Sequence, residues 1–473
     1  MNNSTQTYRM LIDGRLVEST STIPVVNPAT ETQLALAPDC SDEQLESAIS
    51  AARKAFPDWR GLGIEARRSL IQQMAPRIEA HVPELSRLMT LEQGKTLAAA
   101  GREFDSTLRF MRGLATLDLP EEINEDTETR LSVTRRVPIG VVAALSPWNY
   151  PVLLSWWKVV PALLAGNTVI LKPSPLTPLT VLRIAELMVD LLPPGVLNVL
   201  SGGDHLGPKL TAHPSVDKIS FTGSTPTGRR IMQSASSTLK RVTLELGGND
   251  AAIVLPDADI DLVVPQIFWS AFTNSGQVCV ASKRVYIHED HYDAFAKKFV
   301  AFAKTVKVGD GLLPDTQMGP LQNRRQYEAV KALIERAKSQ GHQVLFEGEI
   351  PEGSGYFLPV TIFDNPPEDS ELVSEEPFGP VIPLLKVKSV EEAIERANSS
   401  PFGLAGSVWS SNPQEAMKVA SQLETGNVFV NEPFYLSPFA AFGGHKQSGV
   451  GIENGLDGLL SFTNPLTIML RRG

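Results

Sequence analysis

The chain has little cysteine: two residues in 473, Cys40 and Cys279. Two thiols this far apart build no disulfide framework, and a reduced, cytoplasmic setting is expected. Histidine is scarce as well, with seven residues and no cluster. With so few soft ligands, no zinc or other metal site is expected. There is no cationic excess. Lys and Arg number 43 against 53 Asp and Glu, a net charge of −10. That balance points away from nucleic acid and from an anionic membrane surface as partners. Long apolar runs are missing. The most apolar stretch, 151–165, is interrupted by Lys158 and is too short to span a bilayer, so no membrane is expected. The first residues, Met1 to Met10, lack the apolar centre of a signal peptide. Internal repeats and low-complexity segments are absent too.

What is present is an ordinary globular composition, 42% hydrophobic and 20% charged. The length exceeds one core, so two or three domains are expected. Residues 8–36 read as short strands and turns, with Asp13-Gly14 predicting a hairpin. Helix is predicted over 41–91, with breaks near Pro57 and Pro83, and again over 98–115. Residues 120–137 pass from acidic to alternating basic and β-branched. This suits an exposed ribbon whose open edges invite a partner chain. From 138 the pattern becomes strand–helix alternation, with strands at 141–145, 168–171, 197–200, 218–221 and 241–244. Repeats of this kind predict a parallel sheet covered on both faces, with ligands beyond the carboxyl ends of its strands. The unusual residues fall at those ends: Lys172-Pro173-Ser174, Ser201-Gly202-Gly203, Thr222-Gly223-Ser224-Thr225 and Glu245-Leu246-Gly247-Gly248. A second α/β run covers 249–447. The apolar strand-like tail should be covered, by another subunit.

Cys279 follows Asn274-Ser275-Gly276-Gln277-Val278. A thiol attacks as the thiolate, so a nucleophile here needs an electropositive, partly accessible setting. Gly276 permits close backbone approach and can turn a backbone N–H toward a reacting atom. A buried structural cysteine is the ordinary alternative. Glu245 ends an apolar strand. Burial would raise its pKa and suit it to general-base work, where the plainer role is capping neighbouring backbone. Asn149 can donate its amide to a developing oxyanion, or only form the turn before Pro151. Gly223 and Gly228 follow a strand and open a helix, so backbone N–H groups and the Ser224 hydroxyl can hold a phosphate. Lys172 can reach ribose hydroxyls or a phosphate; a solvated surface lysine is the alternative.

Six stretches occur in a telling order. They are Pro147-Trp148-Asn149-Tyr150-Pro151, Phe221-Thr222-Gly223-Ser224-Thr225, Leu244-Glu245-Leu246-Gly247-Gly248, Gly276-Gln277-Val278-Cys279, Glu375-Glu376-Pro377-Phe378-Gly379-Pro380, and the segment 438–451. Together they resemble the motifs of the aldehyde dehydrogenase superfamily over nearly the whole chain, and 246–254 resembles a bacterial branch of it. The resemblance implies Cys279 as nucleophile, Glu245 as general base and Asn149 as oxyanion donor. It implies Lys172 on a cofactor ribose and Ser224 on the pyrophosphate. Trp148, Ser174, Gly203, Gly223, Glu376 and Phe378 would also contact the cofactor, with Glu376 on the nicotinamide ribose.

The implied fold is α/β. A Rossmann-like cofactor domain would take 1–119 and 138–248, an α/β catalytic domain 249–447, and a bridging β-arm 120–137 and 455–473. The arm would build a homodimer or homotetramer. The implied reaction is oxidation of a small-molecule aldehyde to the carboxylic acid with NAD or NADP, through a cysteine thiohemiacetal and thioester. Pro175 stands where NAD-preferring members carry a ribose-binding Glu, which leaves both cofactors open. Valines flank Cys279 where the family has polar or second-Cys variants. Retention of Glu245 favours hydrolysis over transfer of the acyl group to coenzyme A. Tyr150, Leu153, Leu154, Trp157, Val278, Val280, Leu436 and Phe442 would line the substrate tunnel. Read as apolar, aromatic and free of Arg or Lys, this tunnel predicts an apolar aliphatic or aromatic aldehyde. A semialdehyde, or a betaine or aminoaldehyde held by cation–π contact, comes second. Outside this class stand a thiol esterase that needs no nicotinamide and a catalytically silent relative.

Overall fold

The computed structural model describes residues 7–473; residues 1–6, the start of the expected cofactor domain and of the segment read for a signal peptide, lie outside them. Among the described residues the largest sheet has eight strands. In spatial order its centre runs Leu197–Val199, Thr168–Lys172, Val141–Leu145, Lys218–Thr222 and Arg241–Glu245, all parallel. The hairpin Met10–Ile12 and Arg15–Val17, turned by Asp13-Gly14, adds antiparallel strands at one edge. Gly449–Val450 returns from near the C-terminus to close the other edge against Glu245. The chain builds outward from Val141–Leu145 to one side, then restarts with Lys218–Thr222 on the other. That switch point leaves an open crevice at the carboxyl ends, where ligands of such sheets bind.

A second sheet of seven strands takes the later half of the chain. It is parallel except for Val344–Glu347 against Thr361–Asp364. The expected ribbon is present: Glu122–Asp126, Arg130–Pro138 and the tail strand Thr463–Arg471 form a separate antiparallel sheet. Ile123, Leu466, Ile468, Met469 and Leu470 stay exposed on it.

The apolar run 151–165 is the helix Leu153–Ala165, buried on every side, Lys158 included. A helix apolar all round belongs inside a core, and no described helix is long and apolar enough to cross a membrane. Its last carbonyls are satisfied by side chains, two from far away and one from just past the helix end. Trp59 Nε1 donates to Leu163 at 3.1 Å, Arg67 Nε to Leu164 at 3.0 Å and Asn167 Nδ2 to Ala162 at 3.1 Å. The break expected near Pro57 does not occur: the helix Asp42–Gly61 runs through it. Proline removes one backbone bond there, but the turn beyond is held by fully buried Trp59. Pro83, by contrast, stands in the first turn of the helix Val82–Gln93, where its missing N–H has no intrahelical use.

Candidate active site

The segment that carries Cys279 is built to be rigid. The helix Ile260–Phe272 ends in a tight turn, Thr273–Gly276, in which Asn274, Ser275 and Gly276 all have left-handed φ (53°, 59° and 75°). Side chains secure this costly conformation. Ser275 Oγ donates to the Gly319 carbonyl at 2.7 Å, and Gln277 Nε2 donates to Asn274 at 2.8 Å. Gln277 Oε1 accepts from the Gln322 backbone amide at 2.9 Å. A Cβ on Gly276 would sit 2.2 Å from the Gly379 carbonyl oxygen, so only glycine lets these two backbones meet.

Asn149 lies in the loop between Val141–Leu145 and the buried helix. Its Nδ2 donates to the Gln277 carbonyl at 2.9 Å, which ties the amide to the Cys279 segment and leaves a second N–H. Its own carbonyl accepts from Lys95 Nζ at 2.9 Å and Asn274 Nδ2 at 3.2 Å. Lys95 in turn pairs with buried Glu103. Glu103 also accepts from the Val152 and Leu153 amides at 3.0 and 3.1 Å, a negative charge on the opening turn of the buried helix. Sequence reading missed Lys95 and Glu103. The available signal was a carboxylate on the apolar face of the helix Leu97–Leu114, beside Phe104 and Thr107.

Glu245 ends its strand with 3% exposure, and neither carboxylate oxygen has a hydrogen-bond partner among the described residues. It therefore does not cap backbone. Burial raises its pKa well above the carboxylate range, the nearby Glu453 raises it further, and Lys158 opposes them. Glu453 is paired with Lys158 deep in the core, and Lys158 also donates to Thr222 Oγ1 at 2.7 Å. The two glycines after Glu245 bring this strand against its neighbours. A Cβ on Gly247 would lie 2.3 Å from Glu376 Oε2, and one on Gly248 would lie 2.6 Å from the Cys279 carbonyl oxygen.

Around Cys279 the expected electropositive setting is corrected. Burial pushes the thiol pKa up, and Glu376, Asp250 and Glu245 push it further. The nearby Lys283 spends its ammonium on the Gly276 carbonyl, and burial lowers its pKa to about 8. In the free protein Cys279 is therefore expected to alkylate slowly with iodoacetamide at neutral pH. The rate should climb about tenfold per pH unit, following the thiolate fraction. Peptide mass spectrometry after partial labelling reads this, with buried Cys40 as the internal reference. A plateau near neutral pH would mean that some other group stabilises the thiolate.

Most of the residues expected to hold a cofactor lie at the carboxyl ends of the parallel strands, while Glu376 and Phe378 come from the loop before the strand Val381–Val387. Lys172 is buried, so the solvated-lysine alternative fails, and desolvation lowers its pKa to about 8. Its Nζ donates to the Pro173 carbonyl at 3.2 Å. Ser224 stands at the N-cap of Thr225–Ser236 but bonds Thr227 Oγ1 at 3.0 Å instead of capping, which leaves that helix N-terminus open to an anion. The Gly223 amide is taken by the Glu245 carbonyl at 3.0 Å, and the Gly203 amide by Asp39 at 3.0 Å. The rings of Trp148 and Phe378 meet edge to face at 5.4 Å. Glu376 accepts from the Gly248 amide at 3.2 Å; burial raises its pKa to about 7 against the pull of Lys283. A buried cation, an open helix N-terminus and a buried carboxylate that can accept ribose hydroxyls form a donor set that fits a nicotinamide dinucleotide.

Cys279, Asn149 and Glu245 share one cavity of about 400 Å³. Every residue expected in the tunnel lines it, and Phe110, Trp269, Phe434 and Tyr435 add aromatic wall that sequence reading missed. One expectation is corrected: the lining is not free of arginine. Arg102 and Arg109 reach it from the helix Leu97–Leu114, far upstream of the motifs that define the site.

Residues 16–468 match the family model for the aldehyde dehydrogenase family. The chain is 43% identical to a probable aldehyde dehydrogenase of a Pseudomonas species, over 99% of this chain and 96% of that protein. It is 38% identical to the phenylacetaldehyde dehydrogenase of Pseudomonas fluorescens, over 98% of this chain and 96% of the other. Among solved structures, an NAD+ complex of aldehyde dehydrogenase from Bacillus cereus superposes with a TM-score of 0.96 at 37% identity, covering 98% of this chain and 97% of that one.

Proposed function

Because this chain belongs to the aldehyde dehydrogenase family, we propose that it oxidises an aldehyde with an apolar aliphatic or aromatic body to the carboxylic acid, with NAD or NADP as acceptor and Cys279 as nucleophile. The observation that carries the reading is the shared cavity: thiol, amide donor and an unpartnered buried carboxylate open onto the same space. Lys172, the open helix N-terminus at Ser224, and Glu376 would hold the dinucleotide; the similar Bacillus protein is solved as an NAD+ complex. The nicotinamide, when bound, supplies the acceptor for the hydride lost from the substrate carbon.

The Cys279 thiolate adds to the aldehyde carbon, and the carbonyl electrons move onto oxygen. Asn149 Nδ2 and the Cys279 backbone N–H donate to that oxyanion. Loss of hydride restores the carbonyl as a thioester on Cys279. Glu245 takes a proton from water, the water oxygen attacks the thioester, and the thiolate leaves. The raised pKa of Glu245 suits a base that must take up a proton from water. The strand sheet formed by 120–137 and the tail, with its exposed Ile123, Ile468 and Met469, would pair subunits into a homodimer or homotetramer.

The test is formation of reduced cofactor by the purified protein with NAD and with NADP over a panel of aldehydes. No turnover with any pair removes the proposal. In the same assay Asn149→Ala is expected to lower kcat by about 100-fold, the usual cost of one oxyanion donor. Circular dichroism should stay unchanged. An unaltered kcat would assign the oxyanion to backbone amides alone.

A further inference from the structure

The helix Leu97–Leu114 turns one face to the cavity, and that face carries charge. Ala99, Arg102, Glu103, Ser106 and Arg109 stand at i, i+3, i+4, i+7 and i+10, on one side of the helix, and all line the space that holds Cys279. Glu103 is buried and committed to Lys95 and to the Val152 and Leu153 amides. The arginines are not committed in that way. Arg102 is exposed and has no hydrogen bond or ion pair among the described residues. Arg109 donates Nη1 to the Leu436 carbonyl at 2.9 Å, and its guanidinium lies 5.0 Å from the Phe110 ring and 5.2 Å from the Tyr435 ring. These contacts fix the guanidinium in place while most of its donors stay unused.

The cavity therefore has a polarity. Its inner end holds Glu245 and Glu453, both nearly inaccessible. Its outer end holds two exposed arginines whose backbone positions lie about 10 Å apart along the helix axis, with Ser106 between them. Arg109 is held in place, and the unrestrained Arg102 side chain is long enough to reach toward it over Ser106. Between the ends the wall is apolar and aromatic. An anion is repelled from the inner end and attracted at the outer one, and a cationic substrate meets like charge at the entrance.

We propose that Arg102 and Arg109 receive a carboxylate at the far end of the substrate, so that the preferred aldehydes are ω-oxo carboxylic acids or formyl-arene carboxylic acids. Their apolar middle crosses the aromatic wall and places the aldehyde at Cys279. This rests on the reaction proposed above and narrows its substrate class. It also accounts for an arginine without a partner at the mouth of an otherwise apolar tunnel.

Matched pairs of substrates test it: benzaldehyde against 4-formylbenzoate, and n-alkanals against ω-oxo acids of equal chain length, with betaine aldehyde as a cationic third arm. The ratio of kcat/KM, anionic over neutral, is expected to be about 10 at low ionic strength, a value suited to partly exposed charge-assisted contacts. Added salt should shrink it. Arg102→Gln and Arg109→Gln should each lower the ratio about fivefold, mainly through KM, and Arg102→Glu should invert it. Arg112→Gln is the control. It lies on the same helix, pairs with Glu79 at 2.6 Å and does not line the cavity, so the ratio should not move. Since Arg102 bonds nothing in the fold, its variants keep the test free of misfolding. A ratio at or below one, a preference for betaine aldehyde, or a ratio unmoved by both Arg102 variants overturns the inference and leaves the dehydrogenase reading standing. Failure to oxidise any of these aldehydes, with either cofactor, removes that reading and the inference together.

Discussion

Replacement of Cys279 by alanine is expected to abolish aldehyde oxidation, lowering kcat by at least about 10⁴-fold, as loss of a covalent nucleophile does in other enzymes. The magnitude follows from what the rest of the cavity can do without it. Asn149 can polarise a carbonyl and Glu245 can activate water. Water addition would then give a hydrated aldehyde bound to nothing, and the geometry that delivers a hydride would be lost. Cys40 cannot substitute, since it is buried and burial with nearby Asp39 and Asp42 pushes its thiol up to about 12. Because the Cys279 side chain is small and only partly buried, the alanine variant should fold. Retained binding of NAD or NADP, measured by calorimetry, would confirm that the loss is chemical. A variant within tenfold of the parent would refute covalent catalysis by this residue.

Glu245→Gln should give a different failure. Glutamine keeps the shape but cannot take a proton from water, so thioester formation proceeds and its hydrolysis stalls. Rapid mixing should show a burst of reduced cofactor approaching one equivalent of enzyme, followed by steady turnover slowed about 10³-fold. The pH profile carries the sign. Burial, then Glu453, raises the Glu245 pKa, with Lys158 opposing. The base is ionised only above that value, so parental deacylation should rise with pH along a limb displaced upward from the usual carboxylate range, and the limb should vanish in the glutamine variant. A parent whose rate is flat from acid to neutral pH would contradict the burial argument. A glutamine variant without a burst would place the base elsewhere.

Much of this could be read from the chain before the structure. The parallel strands declare themselves by short apolar β-branched runs, and a parallel sheet places ligands at their carboxyl ends. Lys172, Ser224 and Glu245 therefore stand where the pattern put them. Every tunnel residue carried over from the family resemblance lines the cavity. What could not be read are the pairings that join distant segments. Lys158 with Glu453 and Gln277 with Gln322 have other elements between them along the chain, and no local periodicity announces such contacts. Arg102 and Arg109 look like the solvated side of an amphipathic helix, and only the return of 433–436 over that side turns it into a cavity wall. The Cys279 surroundings were misread for a related reason. The carboxylates of Glu376 and Asp250 act on the thiol through space once the fold brings them near, so the sequence around the cysteine says little about its charge environment. At Pro57 a local rule failed because a buried tryptophan two residues later outweighed it.

The helix Leu97–Leu114 has two faces with separate obligations. Glu103, Phe104, Thr107 and Phe110 are locked into the core and help set the position of Asn149. Arg102, Ser106 and Arg109 touch the cavity from the wet side, where substitutions commonly shift stability by less than about 0.5 kcal/mol. A lineage can thus exchange these surface side chains, and with them the aldehydes it accepts, while the reacting groups stay where they are. Diversification of diet in such enzymes would be written on one solvent-facing helical stripe, and directed evolution of new substrate ranges should begin there.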